Sequence, residues 1–234
     1  MSWVLVTGGT ARGGEAIVRA LHSAGLDVVI HHSPRSSARA ASLRAELDER
    51  KRGSVRTWEA DLSQAVEMPA WITELAPEYC VCNASVYLHS ELGDSQRQAD
   101  DMAVHLTAHA SILKVLEPSL CSVVAVSDIH VDRPATGYLW YTVAKAALQS
   151  LIVTLAMEWA PRVRCNVVAP GALPLPETWT DEGRADAIKR SIPLGNLGRF
   201  EDLASAVKWM LLDAHYVTGQ VLAIDGGRSR WLRD

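Results

Sequence analysis

No basic block or stripe runs through this 234-residue chain, and its formal net charge is −4. Binding a nucleic-acid backbone needs clustered Lys and Arg, so no nucleic-acid partner is expected. No apolar run approaches the roughly 20 residues that span a bilayer. No signal peptide precedes the strand-like Trp3-Val4-Leu5-Val6, so neither a membrane nor export is expected. The four cysteines (Cys80, Cys82, Cys121 and Cys165) lack zinc-like spacing, and no metal is expected. Cys80 and Cys82 lie two apart in an apolar stretch and face one side of a strand. Buried free thiols suit a reducing, cytoplasmic setting. Repeats, linkers and low-complexity tracts are missing as well, which leaves one domain over residues 1–234. Hydrophobic residues make up 48% and charged residues 21%, so a packed core is expected.

What is present alternates. Short apolar runs at Trp3–Thr7, Val28–His31, Val55–Glu59, Tyr79–Cys82, Ser122–Ser127, Arg164–Ala169 and Val221–Ile224 read as strands. Helix-period segments lie between them, at Gly14–Ala24, Ala38–Arg50, Ala99–Leu116, Tyr141–Ala160 and Glu201–Leu212. Apolar strands alternating with helices imply an α/β fold, a parallel sheet of about seven strands covered on both faces. After Gly171, Pro174, Pro176 and Pro193 bracket an irregular stretch, about 172–199, that reads as a loop with a short helix. It leaves the carboxyl end of a strand, where open α/β sheets bind ligands, and is the expected substrate loop.

The first strand runs into Thr7-Gly8-Gly9-Thr10-Ala11-Arg12-Gly13-Gly14 ahead of a helix. Glycines there let the backbone approach a pyrophosphate whose charge meets the helix N-terminus. That makes the sheet a Rossmann-type, doubly wound one. The second strand ends Ile30-His31-His32-Ser33-Pro34-Arg35-Ser36, without the carboxylate that NAD sites use to hold the ribose hydroxyls. Arg12, His32, Ser33, Arg35 and Ser36 are instead available to a 2′-phosphate, which favours NADP(H). Ser36 also reads as a helix cap. Asp61-Leu62, after the third strand, is placed to meet the adenine or simply to turn the chain.

Further motifs follow in order: Asn83-Ala84-Ser85, Tyr141-x-x-x-Lys145, Pro170-Gly171, Thr218-Gly219 and Asp225-Gly226-Gly227. Together with the Thr7–Gly14 turn they cover nearly the whole chain, which resembles the short-chain dehydrogenase/reductase family. It departs from the common pattern at four places. Arg12 replaces the middle glycine of the turn, and Asn83-Ala84-Ser85 replaces Asn-Ala-Gly. Asp128, thirteen residues before Tyr141, replaces the catalytic serine. His105 replaces a fourth-helix asparagine. The first three resemble pteridine reductases. His105 and the ending Asp225-Gly226-Gly227-Arg228 resemble bacterial dihydromonapterin reductases.

The resemblance implies an NADPH-dependent reductase of a pterin-like substrate. Hydride transfer leaves electron density on a heteroatom that must receive a proton. Tyrosine is a poor acid at its free pKa of ~10, and a nearby Lys145 ammonium favours the phenolate. The four-residue spacing puts Tyr141 and Lys145 on one helix face, from which Lys145 would also hold the nicotinamide ribose. Gly8, Arg12, Gly14, Asn83, Ala84, Ser85, Pro170 and Gly171 would complete the cofactor site. By resemblance, Asp128 would help Tyr141 deliver the proton, and Tyr87 would stack the pterin. A homotetramer is implied as well.

Several readings stay open at this level. Ser127, fourteen residues before Tyr141, competes with Asp128, since neighbours in a strand face opposite ways. His105 is a core histidine or a support for a relay water. Leu173, Leu175 and Trp179 form a lid over a flat substrate or pack beneath the loop. Two other functions remain: reduction of a small ketone or cyclic imine through Ser127, Tyr141 and Lys145, or low-turnover sensing of NADP(H).

Overall fold

The computed structural model describes residues 2–175 and 182–231. Seven strands among the described residues form one parallel sheet: β1 (Trp3–Val6), β2 (Asp27–His32), β3 (Val55–Glu59), β4 (Tyr79–Cys82), β5 (Ser122–Val126), β6 (Arg164–Pro170) and β7 (Val221–Ile224). The order is β3-β2-β1-β4-β5-β6-β7. The chain winds outward to β3, then returns past β1 to start β4. That reversal opens a crevice at the carboxyl ends of β1 and β4, the place where doubly wound sheets bind ligands.

The helices are α1 (Arg12–Ser23), α2 (Ser37–Arg50), α3 (Ala70–Glu74), α4 (Ser95–Met102), α5 (Ala108–Leu116), α6 (Leu139–Glu158), α7 (Glu182–Arg190) and α8 (Phe200–Lys208). Side-chain alternation along the strands divides the core in two. Leu5, Cys80, Cys82, Val123, Ala125, Cys165 and Val167 pack on one face against Ile112, Leu116, Leu148 and Ile152 of α5 and α6. Val4, Val6, Val28, Ile30, Val124, Val126 and Val168 pack on the other against Ile17, Leu21, Leu43, Leu47 and Val207 of α1, α2 and α8. Burial on both faces is why these strands read as continuous apolar runs.

Three expectations are corrected. The Ala99–Leu116 segment is longer than its pattern, and a five-residue π-helical turn, Ala103–Thr107, joins α4 to α5. β5 ends at Val126, so Ser127 and Asp128 lie beyond the strand and its alternation does not decide between them. Among the described residues one helix, α6, is long and apolar enough by length and composition to cross a membrane. Its inward face instead packs on the sheet and buries Tyr141, Lys145 and Leu148.

Candidate active site

Thr7 fixes the floor of the crevice. Its Oγ1 accepts from the backbone N–H groups of Asn83 and Ala84 at 2.8 and 2.9 Å, tying the end of β1 to the end of β4. Gly8 takes φ +64°, and a Cβ there would sit 2.8 Å from Ala84 Cα. In the first turn of α1, a Cβ on Gly14 would sit 2.0 Å from Gly8 O. Glycine is therefore required at both places, and the turn keeps its backbone open to the cleft. Arg12 also takes a left-handed φ of 51°, a region that favours glycine. Its guanidinium lies 5.1 Å from the centre of the Phe200 ring and donates to Pro174 O at 2.5 Å, across the mouth of the cleft.

His31 adds a support that the sequence reading missed. Its Nδ1 accepts from Gly8 N–H at 3.1 Å, and its Nε2 meets Ala60 O at 3.2 Å. A carbonyl only accepts, so the hydrogen is on Nε2 and the ring is neutral. Burial pulls its pKa down to about 4. The spacing of a histidine two residues before the Ser33-Pro34 turn carried no signal for this contact, which is made 23 positions away.

At the other end, Tyr141 Oη donates to Asp128 Oδ2 at 2.7 Å. Asp128 begins a 3₁₀ turn, Ile129–Val131, and its Oδ1 accepts from His130 N–H at 2.8 Å, which fixes the carboxylate. Ser127 Oγ turns to α6 instead, 3.2 Å from Gln149 Oε1 and 3.5 Å from Lys145 O. Lys145 Nζ donates to Val126 O at 2.8 Å. It lies 5.8 Å from the centre of the Tyr141 ring. Burial lowers the Lys145 ammonium to about 8, opposed by Asp128 and Cys82. Burial, then the Asp128 charge and hydrogen bond, hold the Tyr141 phenol well above its usual value, while the Ser85 hydroxyl pulls the other way. Tyr141 is thus a protonated donor at neutral pH.

His105, in the π turn, is fully buried behind this wall, edge-on to Tyr141 with ring centres 5.4 Å apart. Its Nδ1 meets Asp101 O at 2.9 Å, and its Nε2 meets Ser85 Oγ at 3.0 Å and Val86 N–H at 3.3 Å. Both ring nitrogens are therefore occupied by protein groups. One turn on, His109 was not singled out by the sequence; its Nε2 meets Thr7 Oγ1 at 2.9 Å and its Nδ1 meets His105 O at 3.0 Å. The i, i+4 spacing of the two histidines was the available signal, because it puts both rings on one helix face.

One cleft of about 550 Å³ brings together Gly8, Arg12, Gly14, His32, Ser33, Ser36, Asp61, Leu62, Asn83, Ala84, Ser85, Tyr87, Ser127, Asp128, Tyr141, Lys145, Pro170 and Leu173. Arg35 is exposed on the solvent side of the Pro34–Ser36 turn, outside that wall but within electrostatic reach of Asp61. Gly171 packs on Asp225, where a Cβ would come within 2.6 Å of the Asp225 Cβ. Leu175 is half-buried away from the cleft wall. Trp179 lies outside the described residues. Tyr87 stacks face to face on Tyr138 at 4.2 Å and meets Tyr141 edge-on at 4.8 Å, forming an aromatic rim over the chemical end. Tyr138 was missed because it stands just ahead of α6, outside any periodic segment. Among the described residues no cluster of His, Cys, Asp and Glu could hold a metal ion.

Residues 9–229 match the family described as enoyl-(acyl carrier protein) reductase. The chain is 31% identical to 3beta-hydroxysteroid dehydrogenase 1 of Eggerthella lenta, over 97% of this chain and 93% of that protein. It is 28% identical to pteridine reductase 1 of Leishmania tarentolae, over 96% and 95% of the two chains. Its structure resembles that of FolM alternative dihydrofolate reductase 1 from Brucella suis, solved in complex with NADP. The TM-score is 0.90 at 27% identity, over 100% of this chain and 97% of that one.

Proposed function

The chain belongs to the short-chain dehydrogenase/reductase superfamily, and from that premise we propose that it is an NADPH-dependent reductase acting on a dihydropterin-type C=N bond. The observation that carries this reading is the 2.7 Å hydrogen bond from Tyr141 Oη to Asp128 Oδ2. An ionised carboxylate only accepts hydrogen bonds. A simple ketone offers it none, whereas a pterin offers ring N–H groups and an exocyclic amine. The relatives named pteridine reductase 1 and alternative dihydrofolate reductase 1 support the same reading.

NADPH, when bound, supplies the hydride. The cleft fits such a group. The glycine turn and the start of α1 offer backbone N–H groups to a pyrophosphate. His32, Ser33 and Ser36 line the far end, and Arg35 stands beside them. Asp61 is also there, its Oδ1 accepting from the Ser63 N–H and hydroxyl at 3.0 and 2.8 Å. A 2′-phosphate suits these donors. Lys145 would hold the other ribose and lend its charge to Tyr141. Asp128 would receive the N–H groups of the heterocycle and aim Tyr141 Oη at the ring nitrogen next to the carbon being reduced. Tyr141 gives that nitrogen its proton. Tyr87 offers a flat aromatic surface at the rim.

An NADPH-consumption screen tests the reading. Dihydropterins should be turned over and simple ketones should not. Turnover of ketones alone, lost in Ser127→Ala but retained in Asp128→Asn, would replace this reading with the ketone reductase. Tight NADPH binding with no turnover of any substrate would favour a sensor. For assembly, the reading is a homotetramer. The outer face of α6 exposes Val143 and Met157, and β7 leaves Val221 exposed at the sheet edge, with Trp209 and Tyr216 nearby in sequence. Light scattering at four chain masses supports this, and a monomer refutes it.

A further inference from the structure

Ser85 and His105 form a pair that the chemistry above does not use. Ser85 Oγ is 3.0 Å from His105 Nε2, the His105 ring stands edge-on to Tyr141 at 5.4 Å, and Ser85 and Tyr141 line the same cleft. The π turn makes the pair possible. In it Ala108 N–H reaches back five residues to Ala103 O, which departs from the α-helical pattern. The His105 ring supplies a donor to Asp101 O from the i+4 position. A carbonyl cannot donate, so Nδ1 carries the hydrogen and Nε2 is an acceptor. That acceptor has two donors, the Ser85 hydroxyl and, at 3.3 Å, Val86 N–H. π turns of this kind concentrate at functional sites.

We propose that Ser85 is a positioning residue with a two-way hydroxyl: it rests on His105 while Tyr141 holds its proton, and turns to the Tyr141 oxygen once that proton has gone. The proposal rests on Tyr141 being the proton donor of the reading above. In the step, the Tyr141 O–H bond breaks and its proton passes to the substrate nitrogen; Ser85 keeps its own proton and only re-aims it. The phenolate that results stands beside the Asp128 carboxylate, which opposes it. Lys145 is committed in part to Val126 O. A second donor is what this phenolate needs, and Ser85 is the hydroxyl placed to provide it. Rotation leaves nothing unsatisfied, because Val86 N–H stays on His105 Nε2. His105 is not a proton relay here, since its far side ends on a backbone carbonyl that cannot take a proton.

The test reads Tyr141 directly. Fluorotyrosine placed at position 141 lowers the phenol's intrinsic pKa into the folded range, and fluorine NMR follows its titration in NADP-free protein. Ser85→Ala should raise the midpoint by about one pH unit and lower kcat about tenfold, with KM within about twofold. Ser85→Thr should restore both. His105→Leu should move the midpoint down, because the hydroxyl is left with Tyr141 as its acceptor, and His105→Gln, which keeps an acceptor, should hold it in place. A midpoint that ignores Ser85→Ala in folded protein, or that rises in His105→Leu, overturns the proposal. If the midpoints move as expected but no dihydropterin is reduced, the substrate reading fails and the role of Ser85 toward Tyr141 stands.

Discussion

The two ends of the cleft are built on opposite principles. The nucleotide end is made of backbone, glycine and neutral histidine. His31 accepts from Gly8 N–H, His109 meets Thr7 Oγ1, and Thr7 holds the backbone of Asn83 and Ala84. The chemical end is made of side chains that change charge: Tyr141 on Asp128, with Lys145 behind. The first end needs shape that does not vary with pH, so its polar groups are buried in their uncharged forms. The second needs protons that move, so its groups are buried where a charge is costly and a neighbour can offset it. Variants at one end should therefore report as stability, and variants at the other as rate.

Tyr141→Phe draws the contrast most sharply. It removes the proton and the hydrogen bond to Asp128 while keeping the ring that packs edge-on to His105. Loss of a positioned acid should cost about a thousandfold in kcat, with the thermal midpoint of the NADP-free protein nearly unchanged. A large drop in that midpoint would mean the chemical end also carries the fold. Gly14→Ala should do the reverse. Its Cβ would meet Gly8 O at 2.0 Å and Asn83 Nδ2 at 2.7 Å, and at least the carbonyl is backbone that cannot step aside. A loss of about 3 kcal/mol or more is expected in urea unfolding, and NADPH affinity should fall with it.

The same contrast explains what could be read from the residues alone. The sheet was legible because its five inner strands are buried on both faces and read as continuous apolar runs, with part-exposed strands at the two edges. Val55–Glu59, Tyr79–Cys82 and Val221–Ile224 stand as expected, β2 is longer by one residue at each end, and the other strands differ by one residue at one end. The glycines, Tyr141 and Lys145 were legible because a turn and a helix face impose fixed spacing. The histidines of the nucleotide end were not. His31 reaches Gly8 from the neighbouring strand and His109 reaches Thr7 across 102 positions; the i, i+4 spacing of His105 and His109 puts their rings on one helix face but does not name these partners. The register of Ser127 and Asp128 was hidden for another reason. It depends on where β5 stops, and the 3₁₀ turn that Asp128 caps swings the carboxylate to Tyr141 after the strand has ended.

Proton linkage separates the two ends on one axis. Burial takes His31 from 6.5 to about 4, and His109 likewise to about 4. Between pH 6.5 and 4 the unfolded chain binds protons that the folded protein refuses, so stability rises with pH and is lost on acidification. Each ring contributes at most about 3 kcal/mol to that loss. His31→Asn, which keeps an acceptor for Gly8 N–H, should flatten the urea midpoint against pH in this window. Lys145 acts in another window, because its folded value is about 8 against 10.5 in the free side chain. From pH 8 to 10.5 the unfolded chain again holds the extra proton, so this group makes the protein more stable as pH rises. Activity should move the opposite way and decline through about pH 8, as the ammonium that favours the phenolate is lost. Activity that stays flat to pH 10 would remove Lys145 from the proton step.

Arg12 stands in the nucleotide turn and reaches across the mouth of the cleft, and its expected effect is the smallest. Its left-handed φ of 51° is a glycine conformation carrying a Cβ, a strain of roughly 1 kcal/mol. Against that strain stand the hydrogen bond to Pro174 O and the contact with the Phe200 ring, which together offset a similar amount. Arg12→Gly should therefore leave the urea midpoint of the NADP-free protein within about 1 kcal/mol of the parent. Its NADPH affinity should still fall, because a guanidinium beside the glycine turn can attract phosphate and a glycine cannot. Arg12→Ala keeps the strain and loses both contacts, so it should be less stable than Arg12→Gly. If Arg12→Ala is instead the more stable of the two, the left-handed conformation is not what this residue costs, and the guanidinium alone accounts for its place in the turn.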